Sequence, residues 1–588
     1  MMPQRLKTYM SITLLFSLIS LSCSQDNDEF DMAVEGFINE KGEISNTSPT
    51  VSFEAVDDIF SISGLIASSK LNVLANDSIP TTDIDDYQIV AISTATNGEV
   101  VVNEDKTITY TPHAEAASKA DSQGMLTDEF TYTLEITKND TNEQKQATVT
   151  VNASFENNSS DEATDEMGEL LAFPGAVGYG KNSIGGRGGR VIHVTNLNEY
   201  GEGSLVAAME ASGPRIVVFD VSGTIEWTKE HYIANPNITI AGESAPSPGI
   251  TIKGHTFGIR ASEVIVRFLR IRVADDVDGN LDGIRIINNK SNTTIENIIV
   301  DHCDVSLGTD ENLALAGNAQ NASNALASNI TIQNCFISDG IGENNYAMLI
   351  GPGLSKISII GNGFFNNGNR VPEHTYGDGS KGIEFVNNII YNYNRSVTLS
   401  FGQSEFDSVG NVFKGDADSP PSQADHVYQH NGYENPNGKV TDGKIHQSDN
   451  IQIGFSSYGM MNQHWEEVNQ SNRVAASDYN PLPATTVVDH LLYDIGASVL
   501  FPDEIGETLV REFIDSSGSR YHNSTASAGG VPYVAQNKHS SSFDTDNDGM
   551  ADLWEITEFG TLNSNSSDDE NNDGYTNIEE FFFYIKTN

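Results

Sequence analysis

The chain is short of basic residues and of apolar residues in general. It has 32 Lys and Arg against 82 Asp and Glu, which gives a formal net charge of −50. Such a chain does not bind nucleic acid through bulk charge. Hydrophobic residues make up only 38% of it, whereas glycine occurs 51 times. This composition favours turn-rich β structure over helix bundles, and the length of 588 residues predicts several domains.

The N-terminus has an apolar run, but a short one. Tyr9–Leu21 follows Arg5 and Lys7. A basic start with a short apolar core is typical of an export signal, and the run is too short for an ordinary membrane-spanning helix. Cys23 comes directly afterwards and resembles the lipidated cysteine of bacterial lipoproteins. We therefore expect a signal peptide at residues 1–22, lipidation of Cys23, and an outer-membrane lipoprotein facing the cell exterior. Plain secretion is the alternative.

Acidic, aperiodic segments divide the chain. Residues 23–50 and 154–169 are polar and acidic, so we interpret both as linkers. Between them, residues 51–153 alternate polar and apolar positions over short runs, which is typical of a β-sandwich. The phrase NVLAND at Asn72–Asp77 resembles bacterial cadherin-like or immunoglobulin-like modules. Such a module serves as a spacer or contacts carbohydrate.

Five short segments in the second half of the chain share one shape. Each has an apolar residue, then Asn or His, then apolar residues again, and a strand-sized motif recurring at roughly 20–50 residues signals a solenoid. The polar positions are His302, Asn334, Asn362, Asn388 and Asn411. One amide per coil can stack into a hydrogen-bonded ladder. We predict a parallel β-helix over residues 170–520.

The two remaining cysteines follow the first two repeat positions. Cys303 and Cys335 are each one residue beyond the polar position, so they should stack on adjacent coils. Neighbouring parallel strands lie about 4.8 Å apart, which allows either two buried thiols or a disulfide.

Equal offsets from the repeat positions fall on one side of a solenoid. Counting forward places acids and arginines together, at Asp310, Glu311, Glu343, Arg370 and Arg395. Asp278 and Asp282, in the preceding coil, could join Glu311. Carboxylates can hold Ca²⁺ and arginines can grip a sugar carboxylate. Together they suit β-elimination in a uronate polymer, although an ion-pair row on a solvated face has the same spacing.

The tail, residues 544–588, carries two copies of a twelve-position calcium loop. The first runs from Asp544 to Glu555 and the second from Asp569 to Glu580, each with glycine at the sixth position. The ligand positions are Asp544, Asp546, Asp548, Asp552, Glu555, Asp569, Asn571, Asp573, Asn577 and Glu580. The pair resembles dockerin-like or thrombospondin-type calcium repeats, with a structural or adhesive role. Residues 521–543 are interpreted as a linker.

Several longer phrases resemble the pectate lyase family, polysaccharide lyase family one. They include AFPGAVGYG from Ala172, NITIAGESAP from Asn237 and VDHCDVSLGTDE from Val300, and the resemblance spans roughly residues 171–415. It implies a right-handed parallel β-helix that cleaves acidic polysaccharides by calcium-assisted β-elimination.

The resemblance also implies residue roles. The family's base is the arginine of an Arg-x-Pro segment, which matches Arg370–Pro372, and the calcium ligands fall near Asp282 and Glu311. The chain departs from the family at Asn280, Leu315, Thr375 and the lysine-free segment 342–345.

Free arginine is a poor base, because its pKa lies above about 12. His374, Tyr376 and Lys381 follow Arg370 closely and are candidates to share proton transfer or to bind substrate, together with Glu343 and Arg395.

We therefore expect an exported, monomeric polysaccharide lyase that uses Ca²⁺. Its substrate is a uronic-acid-containing polymer, pectate-like or another acidic polymer such as ulvan or alginate. One alternative is a glycoside hydrolase on the same fold, using carboxylates among Asp310, Glu311 and Glu343. The other is a non-catalytic surface protein that binds carbohydrate or mediates adhesion.

Overall fold

The structure is a computed structural model that describes most of residues 53–154 and 170–587. The gaps in the first range are 54, 64–68, 72, 75–76, 78, 80–85, 104–105, 114–115, 117–118, 120–124 and 139–140. Those in the second are 275–278, 318–323, 325, 375–380, 394–397, 402–403, 416–427, 432, 436–437, 441–442, 454–460 and 462. The predicted signal peptide, Cys23 and nearly all of the two acidic linkers therefore lie outside the described residues. Among the described helices, none has the length and apolar character needed to cross a membrane.

The N-terminal domain is a small β-sandwich. Its strands are β1 Asp58–Ser63, β2 Ser69–Leu71, β3 Asp86–Ile92, β4 Gly98–Val102, β5 Ile108–Pro112, β6 Met125–Lys138 and β7 Thr141–Ser154. They form two sheets, in the orders β1-β7-β6-β3 and β2-β5-β4. Alternate side chains such as Phe130, Tyr132 and Leu134 are buried between them, as the period-two pattern predicts.

The large domain is a right-handed parallel β-helix with three sheets. Sheet 1 contains β8 Arg190–Val194, β9 Arg215–Phe219, β12 Ile238–Ala241, β15 Val264–Arg267, β18 Thr294–Asp301, β21 Leu326–Gln333, β24 Leu354–Ile360, β27 Lys381–Val386, β30 Glu405–Val409 and β35 Lys444–Ser448. Sheet 2 contains β10 Gly223–Glu226, β13 Ile250–Lys253, β16 Leu269–Arg272, β19 Asp304–Ser306, β22 Phe336–Ser338, β25 Gly363–Phe365, β28 Ile389–Tyr391, β31 Val412–Lys414 and β36 Ile451–Ile453.

Sheet 3 carries the face on which the candidate site lies. It contains β11 His231–Ile233, β14 Phe257–Ile259, β17 Ile284–Ile287, β20 Glu311–Ala316, β23 Tyr346–Ile350, β26 Glu373–His374, β29 Thr398–Phe401 and β32 Tyr428–Asn431. A two-stranded hairpin, β33 Tyr433–Asn435 and β34 Gly438–Val440, follows. Each coil contributes one strand to each sheet, and one apolar core fills the interior.

Short helices pack on the outside of the coils. They are α1 Leu205–Glu210, α2 Gln463–Val468, α3 Ala484–Leu491, α4 Glu504–Asp515, α5 Asp552–Glu558 and α6 Asn577–Thr587. The amphipathic helix α4 buries Leu509 and Phe513 against sheet 2. Its N-cap residue, Asp503, also lies 2.6 Å from the buried Arg272 guanidinium, which fastens the helix to the coil.

The predicted ladder exists, with a corrected register at its start. Asn388 Oδ1 accepts hydrogen bonds from the backbone N and the Nδ2 of Asn362, and Asn388 donates in turn to Asn411 Oδ1 at 2.8 and 3.0 Å. In the two preceding coils, however, this position belongs to Cys303 and Cys335, because Cys335 N donates to Asn362 Oδ1. The prediction was one residue early there.

The residues misassigned to the ladder occupy the turn before it. His302 and Asn334 have φ values of 49° and 51°, the left-handed conformation that Gly361 also adopts one coil later. His302 is fully buried and its Nδ1 lies 2.7 Å from Asp301. Both cysteines are buried free thiols on adjacent coils, so the alternative without a disulfide is confirmed.

The segment after α4 is attached to the β-helix. Residues 521–543, which the sequence analysis interprets as a linker, form bridges at Ile341–His522 and Val221–Lys538. Asn537 also accepts a hydrogen bond from the backbone of Ser222 through its carbonyl. These contacts place residues 544–587 near the first coils.

Replacing a ladder residue tests this architecture. We expect Asn388→Ala to lower the free energy of unfolding of the β-helix by about 3 kcal/mol, because Asn362 N–H and the Ile359 carbonyl lose their buried partner. Calorimetric unfolding measures this. Asn198→Ala, at an exposed position, is the control and should stay within about 0.5 kcal/mol of the parent. An equal effect of the two substitutions would contradict a stabilising role for the asparagine ladder.

Candidate active site

Four side chains lie side by side at the strands of sheet 3, namely those of Asp282, Glu311, Tyr346 and Arg370. Glu311 is in register with Tyr346, and Tyr346 forms a bridge to Asn369, the neighbour of Arg370. Asp282 lies one coil earlier, where its Oδ1 accepts a hydrogen bond from the backbone N of Glu311 at 3.3 Å. The structure therefore brings together Glu311 and Arg370, which the equal offsets placed on one face, and Asp282, which was expected to join Glu311 from the preceding coil.

Three carboxylates converge at this place. Oxygen atoms of Asp282, Asp310 and Glu311 lie within 4.8 Å of one another. Burial, together with Asp310 and Asp282, raises the pKa of Glu311 to about 8, although Arg370 opposes the shift. Burial also raises the pKa of Asp282, against the opposing effect of Arg285. Desolvated carboxylates at such spacing attract a cation.

Arg370 is held from three sides. It forms ion pairs with Glu311 and, at 3.0 Å, with Glu373. Its guanidinium lies 3.8 Å from the centroid of the Tyr346 ring, a cation–π contact. Burial alone would lower the pKa of Arg370, but Glu373 and Glu311 outweigh it and the net shift is upward. Its φ of 60° places this non-glycine residue in the left-handed region, where strain is stored at functional sites.

A second arginine neutralises the cluster from the other side. Arg285 Nε lies 2.5 Å from Asp282, whose side chain is only 3% exposed. Each of the two buried acids, Asp282 and Glu311, thus has one guanidinium partner. The repeat pattern did not identify Arg285, Tyr346 or Glu373. Arg285 lies three residues after Asp282, and Glu373 lies three residues after Arg370. A search for opposite charges at that spacing would have identified both pairs.

Several predicted site residues lie elsewhere. His374 is fully buried beside Phe406, with ring centroids 5.8 Å apart, so its proposed role in proton transfer at the surface is wrong. Lys381 begins β27 in sheet 1, whereas Arg370 precedes β26 of sheet 3. Glu343 is exposed in the loop before β23. Leu315 is buried in the core and offers no ligand. Asp278, Tyr376 and Arg395 fall outside the described residues.

The tail forms two similar acidic loops. In the first, Asp544 accepts hydrogen bonds from the backbone N of Asn547, Asp548 and Gly549. In the second, Asp569 Oδ2 accepts from Gly574 N at 3.0 Å. Gly549 and Gly574 have φ values of 95° and 101°, which the turn requires.

The first loop contains a buried acid with no hydrogen-bond partner. Glu555 has no exposed surface, and neither of its carboxylate oxygens is hydrogen-bonded. It meets Asp546 and Asp552 within 4.8 Å, and Asp544, Asp546 and Asp548 form a second such group. Burial and these neighbouring acids raise the pKa of Glu555 to about 8. In the second loop, burial and Asp573 raise the pKa of Glu580 to about 7.

The tail is packed on the N-terminal coils. Arg187 Nε donates to both carboxylate oxygens of Glu579 at 2.9 Å and lies over the ring of Tyr575. His193 Nε2 is 3.3 Å from the carbonyl of Asn547 in the first loop. Apolar side chains of α5 and α6 share a core with strands β8, β9 and β12 of sheet 1.

Comparisons with known proteins match two parts of the chain. A family described as a bacterial Ig domain covers residues 46–152. Proteins named "Probable pectate lyase C" cover 70% of the chain. The one from Emericella nidulans is 31% identical over 421 residues and 91% of its own length is covered. Those from Aspergillus terreus and Aspergillus flavus are 32% and 33% identical over 425 residues, and 93% of each is covered.

The Arg187–Glu579 contact gives a test of tail attachment. We expect Arg187→Gln to speed the release of the tail in limited proteolysis, because the ion pair is largely buried and Glu579, which keeps its hydrogen bonds to Thr576, loses the positive charge of Arg187. Arg190→Gln, at an exposed position three residues later, is the control. Equal release rates for both variants would show that this pair does not hold the tail.

Proposed function

Since the chain belongs to the pectate lyase family and is a polysaccharide lyase, we propose that it cleaves a uronic-acid-containing polysaccharide by calcium-assisted β-elimination. The polymer is pectate-like, or another acidic polymer such as ulvan or alginate. The observation that carries the proposal is the placement of Arg370 beside the acids Asp282, Asp310 and Glu311 in front of sheet 3.

Arg370 is the proposed catalytic residue. It is 24% exposed, whereas its partner Glu311 is 5% exposed, so the guanidinium is the accessible member of the pair. Elimination removes the proton from C5 of the uronate, breaks the C4–O4 bond and leaves a C4–C5 double bond, while O4 takes up a proton. A guanidine accepts a proton only when neutral. The two carboxylate partners, Glu311 and Glu373, stabilise the charged form of Arg370. Breaking the contact of Arg370 with either carboxylate would therefore favour proton abstraction.

The residues at this face fit a calcium ion. Asp282, Asp310 and Glu311 supply hard oxygen ligands, and burial together with neighbouring acids raises the pKa of Asp282 and of Glu311. Leu315 and Asn280 make this set smaller than the one the resemblance implies. Bound calcium would neutralise the substrate carboxylate and so acidify the adjacent C–H bond.

The tail loops are proposed as structural calcium sites. In the first loop, among the described residues, these carboxylates lack a lysine or arginine partner, and neither carboxylate oxygen of Glu555 is hydrogen-bonded. Since the tail packs on β8 and β9, calcium there would stabilise the start of the β-helix. The resemblance to dockerin-like or thrombospondin-type repeats is in keeping with this role.

The remaining predictions concern the protein's setting. We propose an exported protein, anchored to the outer membrane through Cys23 or secreted, acting as a monomer on a polymer outside the cell. The N-terminal sandwich then serves as a spacer between the membrane and the lyase domain.

The catalytic assignment is tested by substitution. We expect Arg370→Ala to lower kcat at least about 100-fold on its best polymer, because proton abstraction contributes 10²–10⁴-fold. Ultraviolet absorbance of the unsaturated uronate product on pectate, alginate and ulvan, with and without chelator, measures it. Arg511→Ala, on the exposed side of α4, removes the same charge and should leave kcat unchanged. Full activity in Arg370→Ala would remove the assignment.

Two other results would contradict β-elimination. New reducing ends without ultraviolet absorbance would identify a glycoside hydrolase. Binding of the polymers without cleavage would identify a carbohydrate-binding or adhesion protein.

The tail sites make a separate prediction about stability. We expect calcium to raise the unfolding midpoint of chelator-treated protein by several degrees. Glu555→Gln should lose most of this gain and should be at least as stable as the parent without calcium, because it removes a buried, unpartnered charge. Glu507→Gln, exposed on α4, is the control. A full calcium response in Glu555→Gln would show that the loop does not hold the ion.

A further inference from the structure

The face of sheet 3 continues beyond the acids toward the N-terminal coils, and there it carries two arginines, Arg260 and Arg285. Tyr232 is in register with Gly258, and Gly258 with Arg285. The same outward row runs on from Arg285 through later strands to Glu373, beside Arg370. One row of side chains therefore connects the Arg370 region with a second group of polar residues.

Tyr232 and Arg260 are locked against each other. A Cβ at Gly258 would lie 2.0 Å from Cδ1 of Tyr232, so the ring lies across this glycine and only a glycine leaves room for it. The guanidinium of Arg260 sits 3.3 Å from the centroid of the same ring. The tyrosine hydroxyl is thereby aimed at the coil after Gly258, where Arg285 Nη1 lies 3.4 Å away.

Arg285 divides its guanidinium between a buried and an exposed acid. Nε is held by the buried Asp282, whereas Nη1 lies 3.3 Å from Glu230, which is 46% exposed. Glu230 also accepts the hydroxyl hydrogen bond of Tyr232 at 2.8 Å. An exposed ion pair of this kind contributes only about 0–1 kcal/mol. The Glu230 carboxylate is therefore exchangeable, and it marks where another carboxylate can sit.

We propose that Arg285, with the Tyr232 hydroxyl and Arg260, forms a second carboxylate-binding subsite, in which Glu230 stands in for a uronate of the polymer. The proposal rests on the proposed function. Sheet 3 places β17 three coils from β26. At about 4.8 Å per coil this is about 14 Å, so one extended acidic chain crossing the coils reaches both Arg285 and Arg370.

The choice of arginine suits this ligand. A guanidinium binds a carboxylate with two parallel hydrogen bonds, and it stays charged when it is paired with acids. In a chain with 32 basic residues and a net charge of −50, an acidic polymer can be held only where cations are concentrated. Arg285 and Arg260 are such a concentration, several sugar units from the bond that breaks.

The test separates binding from chemistry. We expect Arg285→Gln to raise KM for a long uronate polymer at least about tenfold, and by a larger factor than it lowers kcat. On oligomers too short to span the three coils, KM should hardly change. Arg511→Gln, which removes the same charge from α4, should change neither value.

A second variant gives the opposite sign and spares Asp282. Glu230→Gln should lower KM for the polymer, since the competing carboxylate is gone, whereas Glu504→Gln on α4 should not. Titration calorimetry with the polymer on an Arg370→Ala background should show the same order of affinities.

Three results would overturn the subsite. Arg285→Gln could match Arg511→Gln on the polymer, or it could lose kcat with KM unchanged, which would make Arg285 a positioning residue for Asp282. Glu230→Gln could also leave affinity unchanged. Failure of the parent protein to cleave any uronate polymer would contradict the proposed function instead, and the calorimetric comparison of Arg285→Gln with its parent would still decide the subsite.

Discussion

In-register stacking of the coils is the constraint on which the rest of this molecule depends. Each coil supplies the backbone partners of the next, and the buried amides of Asn362, Asn388 and Asn411 repeat that dependence with side chains. Because a buried amide with no partner is costly, the cross-section must recur from coil to coil. Loops can vary in length only where they leave the coil. Residues at equal register are therefore neighbours about 4.8 Å apart, whatever their separation in sequence.

The same stacking concentrates charge. Asp282 and Glu311 occupy equivalent places on adjacent coils and are buried there, so burial and the charges of Asp310 and Asp282 raise the pKa of Glu311. Arg285 and Arg370 relieve this from opposite sides. Where acids and arginines alternate, the arginines can bind an acidic ligand in place of the acids, and the acids can bind a cation in place of the arginines. A row of acids alone would only repel the polymer.

The fold was predictable because each coil repeats the same types of residue at the same positions. The site was predictable only in part. Glu311 and Arg370 could be placed together since both begin or precede strands of sheet 3. The equal-offset rule failed for Glu343, because the loop before β23 is longer. Lys381 was chosen for its nearness to Arg370 in sequence, but there the chain has already turned into sheet 1. His374 was misjudged because period-two alternation from Glu373 turns it inward. The partnership of Arg187 with Glu579, 392 residues apart, has no local signal.

The net charge of this protein and the local charge at its sheet 3 face lead to different conclusions about the binding of an acidic polymer. At physiological salt, screening limits each charge to about 8–10 Å, so a chain of −50 can still present a face that binds an acidic polymer. The two acidic centres differ in how they are compensated. The acids at sheet 3 are interleaved with arginines, which neutralise part of their charge. In the first tail loop, within the described residues, no lysine or arginine pairs with Asp544, Asp546 or Glu555, so the proposed calcium would supply the missing positive charge. Calcium should therefore affect stability through the tail and affect activity through the face of sheet 3.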